Sequence, residues 1–226
     1  MMLSELFNIE KVLGFCEKVC YFLVVNLLFL ISSLPVLLFF LFMGISHVRE
    51  YLPFFLICAM SVPPAFSAVL YAMRRLLDGT ERGPVKDYWK GYHTDFLQKL
   101  CLGGVQMLTF LILWTNIEFF SKQMKNVPLT ILFVLLFAFA VAVTPNLYLL
   151  ASRYEMKNQD IIRTACLLTV TRPICTLGTI AALGAVLAAF EIAAGTAVLF
   201  MVSTYAFLVV FISKKVLDTL EEGGEK

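Results

Sequence analysis

Two histidines, six cysteines and a few amides and carboxylates are the side chains of this 226-residue sequence with types suited to chemistry. The cysteines (Cys16, Cys20, Cys58, Cys101, Cys166, Cys175) show no CxxC spacing and no accompanying histidines. Only Cys16 and Cys20 lie one helical turn apart, so the set reads as small apolar packing residues rather than a metal centre. There is no H-E-x-x-H, no G-x-S-x-G and no G-x-x-x-x-G-K-[ST]. No pair of carboxylates falls within an apolar run, so acid–base proteolysis of the aspartyl type has no basis. The expectation is a protein that is not an enzyme, with no catalytic residues, no cofactor and no metal.

The elements that must position the remaining polar groups are set by composition. The chain is 60% hydrophobic and 15% charged, with a mean hydropathy of +0.86. A soluble domain of this length needs more charge to cover its surface, whereas a lipid bilayer removes that need. The net charge of +2 is too small to suggest nucleic acid, and no nucleic-acid partner is expected. A helix crossing ~30 Å of hydrocarbon needs about 20 apolar residues. Six such runs are expected, at residues 19–43, 51–73, 100–120, 127–151, 173–190 and 194–213, in a single all-α membrane domain of residues 1–226. The last two come from one apolar stretch divided by a turn near "FEIAAGT", because a single helix would be ~60 Å long.

Basic residues orient the threading. With both termini in the cytoplasm, only Arg49, Lys122 and Lys125 of the 18 Lys+Arg lie outside, leaving fifteen inside. The expected location is the cell membrane, in a multi-pass arrangement. His47 and His93 then fall on opposite sides and cannot share a site.

Polar residues within spans are candidate functional groups because hydrocarbon penalises them. Asn26, Gln106, Asn116, Glu118 and Asn146 form that set. Asn26 and Asn146 are expected to bond exposed carbonyls or each other across helices. Glu118 is expected to pair with Lys122 at i+4. Pro35, Pro63, Pro64 and Pro145 are expected kinks, with Ser61 and Ser67 near enough to satisfy freed carbonyls. Small residues of span five, among them Gly178, Ala181, Gly184 and Ala185, favour close helix approach. Span five is therefore expected to be central, and span four, whose bulky "ILFVLLFAFAVAV" is suited to face lipid, peripheral on one side.

Two loops carry amphipathic helices expected at the cytoplasmic membrane surface. In "GPVKDYWKGYHTDFLQK", Val85, Trp89, Tyr92, Phe96 and Leu100 recur at helical spacing, and Asp87 lies among the polar positions. Trp89, Tyr92 and Phe96 are the candidate docking residues. In "EMKNQDIIRTACLLTVTRP", Asn158 is a candidate cap and Ile161, Ile162, Ala165 and Leu168 form the apolar side. Spans two to three and four to five thus look like loose copies of one pattern.

At "NLLFLISSLP", "PAFSAVLYAMRRL" and "KDYWKGYHTDFLQK", and at the early "LFN" of Leu6 to Asn8, the chain resembles the YesL-like family. These are bacterial integral membrane proteins grouped as a domain of unknown function. The resemblance implies an association with carbohydrate uptake, including sugar-importer subunits as partners, and supplies no catalytic or ligand residues. A membrane protein assisting or regulating solute uptake through a transporter is the expected function. A small channel or carrier is the alternative, and an enzyme on lipid or lipid-linked substrate the third. No motif fixes an oligomeric state.

Overall fold

The computed structural model describes residues 9–44, 47, 48, 50–192 and 198–224, with side chains of 9–13 and 215–224 left aside. Leu6 to Asn8, Arg49, Lys226 and most of the turn expected near "FEIAAGT" lie outside the described residues, as do the side chains of Lys11 and Lys215.

Prolines and glycines divide the apolar sequence into helices. The first, α1 (Ile9–Ser32), ends at a turn on Ser33, and α2 (Leu34–Met43) restarts with Pro35 in its first turn. Proline is tolerated there because the N–H it lacks has no intrahelical partner. The chain continues through α3 (Leu52–Ala59) and α4 (Val62–Leu77), again with Pro63 and Pro64 in a first turn. Pro35 follows the turn at Ser33, and Pro63 and Pro64 follow a two-residue turn at Met60 and Ser61 inside the span Leu52–Leu77. The Ser61 hydroxyl donates to the Cys58 carbonyl at 2.9 Å, across the break. Ser67, the other expected helper, is buried with its hydroxyl unbonded. Pro145 does lie inside a continuous helix.

A turn through Gly79 and Gly83, both at positive φ, leads into α5 (Pro84–His93). Asp95, at φ 51°, separates α5 from α6 (Phe96–Glu118), which passes into a π-helical turn at Phe119–Gln123. Among the described residues, four more helices follow: α7 (Val127–Arg153), α8 (Asn158–Thr171), α9 (Pro173–Ile192) and α10 (Met201–Gly224). Lys157 stands at the cap position of α8, and Asn158 makes no capping bond.

Among the described residues, five stretches are long and apolar enough to span a membrane: Gly14–Ser32, Leu52–Leu77, Phe96–Gln123, Val127–Arg153 and Pro173–Ile192. The apolar part of α10, Met201–Lys214, is shorter. The fold is an all-α polytopic bundle. Its exposed surface carries Leu41, Ile57, Leu108, Ile112, Leu135 and Ile174, as a bilayer solvent permits.

The centre of the bundle is α4. Ala65, Ala68, Val69, Leu70, Ala72 and Met73 are fully enclosed, and α4 touches α1, α5, α6, α7 and α10. Close contact depends on glycine. A Cβ on Gly103 of α6 would lie 2.2 Å from Pro63 Cγ, and one on Gly91 of α5 only 3.1 Å from Ala68 Cα. Those contacts run α5 and α6 upward against a descending α4.

The chain repeats this plan: α7, with Pro145, is followed by a turn beside Arg153, then α8 packed on α7, then α9. Span four faces lipid along "ILFVLLFAFAVAV" up to Val141, as expected, and turns inward only toward its end. Its last third, Ala142 to Ala151, is buried except for half-buried Thr144, whereas Gly184 and Ala185 of α9 are exposed. Small side chains permit approach but offer little area to bury, and the apolar bulk of Leu147, Tyr148, Leu149 and Leu150 takes the interior instead.

Candidate functional site

The short helix α5 is anchored by one face and displays another. Its anchor is Asp87, 1% exposed. The Tyr21 hydroxyl of α1 lies 3.1 Å from Asp87 Oδ2 and 3.2 Å from the Ala72 carbonyl, its proton shared between them. The Arg82 backbone N–H donates to Oδ2 at 2.9 Å. Arg75 Nη1 of α4 sits 3.3 Å from Oδ1, while Arg75 Nε donates to the Thr80 carbonyl at 3.0 Å. One carboxylate thus ties α1, α4 and the intervening turn to α5. Helical spacing alone puts Asp87 among the polar positions of α5, and its remote partners bury it instead.

Neighbouring residues complete the anchor. Tyr88 is fully buried and donates to Ser32 Oγ at 2.9 Å. Burial pushes its hydroxyl pKa well above the ordinary tyrosine value, with the Ser32 bond opposing that shift. Lys99 of α6, 2% exposed, donates through Nζ to the Gly91 and Thr94 carbonyls at 2.8 and 2.7 Å. It neutralises carbonyls that the end of α5 leaves free.

The other face of α5 looks outward. Trp89 is 43% exposed and stacks on His93 at 5.4 Å between centroids. Tyr92 meets Trp89 at 5.6 Å and Phe96 at 5.4 Å. Burial raises the Tyr92 pKa. Lys86 and Lys90 are exposed beside them. The structure therefore gathers the expected docking residues Trp89, Tyr92 and Phe96 into one aromatic cluster, although Phe96 and Leu100 belong to α6 rather than to the same helix. The buried anchor was readable in one respect: Gly91 follows Asp87 by four residues and Tyr88 by three, which marks a close-approach face.

The expected intramembrane polar residues are dispersed. Asn26 is fully buried on α1 and serves the start of α10: Nδ2 donates to the Val198 carbonyl at 2.8 Å. Its Oδ1 accepts from Val202 N at 3.1 Å and Ser203 N at 3.3 Å. It is a helix cap supplied from another helix. Asn146 donates to Thr169 Oγ1 of α8 at 3.0 Å, so the two asparagines bond separate partners and not each other. Gln106 donates to Thr144 Oγ1 at 2.6 Å and accepts from the Tyr148 hydroxyl. Asn116 bonds its own helix at the Ile112 carbonyl, and Glu118 pairs with Lys122 at 2.7 Å as expected. Asn26 spends its hydrogen bonds on the fold.

These features define a polytopic helical membrane protein with a rigidly seated, aromatic-faced short helix. Within it, residues 22–117 match the family model described as "Protein of unknown function, DUF624", which ties this part of the chain to an uncharacterised-domain family. The matched segment takes in Asp87, its partner Arg75 and the whole aromatic cluster. No curated protein and no solved structure matches the chain.

Proposed function

We propose that this YesL-like protein is a non-enzymatic component of the cell membrane that assists or regulates solute uptake, with carbohydrates as the candidate solutes, by contact with a transporter. One observation carries it: α5 is fixed through Asp87, Tyr88 and Gly91, yet exposes Trp89 on a cluster it forms with half-buried Tyr92 and, from α6, half-buried Phe96. Aromatic anchors held rigid lose little entropy on docking and supply most of an interface's energy. The distribution of Lys and Arg favours both termini and this helix in the cytoplasm, where importer subunits carry their cytoplasmic parts. The link to sugar importers comes from the family resemblance.

Affinity purification from native membranes in mild detergent, followed by mass spectrometry, tests the proposal. An importer subunit should co-purify with the wild-type chain and be lost from a Trp89→Ala, Tyr92→Ala variant that still elutes as a folded protein. Undiminished recovery of that subunit with the variant rejects the docking role of α5.

A further inference from the structure

Two proline bends set α2 and α3 apart from the rest of the bundle. Pro35 follows the turn at Ser33, and Pro63 and Pro64 follow the turn at Met60 and Ser61. Proline has no N–H to give the carbonyl four residues back, so both strands of the α2–α3 hairpin lose backbone hydrogen bonds where they join the bundle. Beyond its bend, α2 has 10 residues. That is ~15 Å at about 1.5 Å per residue, half of the ~30 Å hydrocarbon core. The hairpin packs on itself: Phe39, 2% exposed, lies 5.9 Å from Phe54 and 5.2 Å from Phe55 between centroids. Among the described residues, neither α2 nor α3 makes an extensive contact with α6, α7, α9 or α10. Leu37, Leu41, Phe42 and Ile57 are exposed. A unit joined through two bends and packed on little else has the anatomy of a hinged element.

What holds it comes from α5 and α6. The Tyr88 hydroxyl reaches Ser32, the last residue before the first bend, at 2.9 Å. At the second bend Pro63 abuts Gly103, where a Cβ would lie 2.2 Å from the ring, and Met60 Cε lies 3.7 Å from the place of a Cβ on Gly104. Lys99 ties α6 to the end of α5, so one unit touches both bends. Ser33 is 5% exposed, and its hydroxyl has no partner among the described residues. A buried hydroxyl left unpaired costs free energy, so the held position does not satisfy every polar group at the bend.

We propose that α2–α3 is a hinged flap in the leaflet away from the end of the bundle that carries Arg75 and Arg153, and that Tyr88 latches it through Ser32. A displacement of α5 is then felt on the far side of the membrane. A change of ~20° at the bends moves the tip of a ~15 Å arm by about 5 Å. That a docked partner supplies the displacement rests on the function proposed above; the hinge and its latch stand without it.

The test is pulsed dipolar EPR on the full chain in nanodiscs, with its six cysteines replaced by alanine. Nitroxides are placed at Leu41→Cys on α2 and Ile174→Cys on α9, both exposed positions. The parent chain should give one dominant distance and a minor one displaced by about 5 Å. Tyr88→Phe and Ser32→Ala remove the latch bond from opposite sides, and each should raise the minor population about fivefold, the effect of one hydrogen bond of ordinary net strength. Gly91→Ala, whose methyl would lie 2.8 Å from Tyr71 Cβ, pushes α5 off α4 and should do the same. A reference pair, Leu135→Cys with Ile174→Cys, should be unchanged in all three variants. An unchanged flap distance in either Tyr88→Phe or Ser32→Ala overturns the latch, and in Gly91→Ala it overturns the coupling to α5. A shift of the reference pair as large as that of the flap pair overturns the hinge, because the whole bundle has then loosened. None of these readouts involves a transporter, so the flap and the docking function fail separately.

Discussion

Replacing Asp87 by alanine should be the most damaging single change at the basic end of the bundle. Asp87 is 1% exposed and its partner Arg75 only 12%, so removing the carboxylate strands a guanidinium with little access to water. It also removes the acceptor for the Tyr21 hydroxyl and the Arg82 N–H. Hydrogen bonds to a charged group are worth ~1.5–3 kcal/mol each, and breaking a buried pair costs ~3–5 kcal/mol. The two figures describe overlapping losses, so the expected destabilisation is ~3–5 kcal/mol, roughly 6–20 °C at about 2–4 °C per kcal/mol for a chain of this size. The assay is the apparent melting temperature in detergent, read at one fixed heating rate because such unfolding is commonly irreversible. Asp78→Ala provides the control. It removes the Lys214 pair at 2.7 Å, whose side chains are 41% and 37% exposed, and exposed pairs contribute at most ~1 kcal/mol. If Asp87→Ala melts within the range of Asp78→Ala, the anchor has been misjudged. A compensating Asp87→Leu, Arg75→Met pair should recover much of the loss, since both charges then leave together.

Three further outcomes follow from the packing. Gly103→Ala should cost ~1–3 kcal/mol or more by the same melting assay, because the new methyl meets the Pro63 ring, which cannot rotate away. Asn26→Leu should cost about 2 kcal/mol, the upper range for loss of a helix cap, and should raise proteolysis near the start of α10. Tyr88→Phe should change the alkaline limb of a stability–pH profile. The native Tyr88 pKa is raised, so its contribution is complete below the unfolded value of about 10 and falls above it by ~1.4 kcal/mol per pH unit. The variant should show a shallower decline there.

Much of the architecture is legible from composition and punctuation. Apolar runs give the helices, and each proline marks a restart or the interior of α7. The buried side of α8 follows from Ile161, Ala165 and Leu168, all buried as their spacing requires. What escapes is the work of polar residues whose partners are remote. Asp87 reads as solvent-facing because charge on an amphipathic helix usually is, and its acceptor role depends on Tyr21, 66 positions away. Asn26 gives no local sign of the cap it provides. The lipid-facing start of α7 is legible in its bulk, but its buried end is not, because small residues reveal which backbones are able to approach, while buried area decides which ones do. The aromatic cluster was visible as residue types, but its seating on a buried carboxylate was not.

The clasp between Asn26 and the start of α10 imposes an order on biosynthesis. The Val198 carbonyl that receives the Asn26 amide emerges 172 residues later, about 9–34 s at a synthesis rate of ~5–20 residues per second. Throughout that interval the newly inserted first helix holds a polar amide in lipid with its eventual partner unmade. Nascent chains halted before Val198 should therefore be the species most dependent on insertion factors and most exposed to membrane proteases.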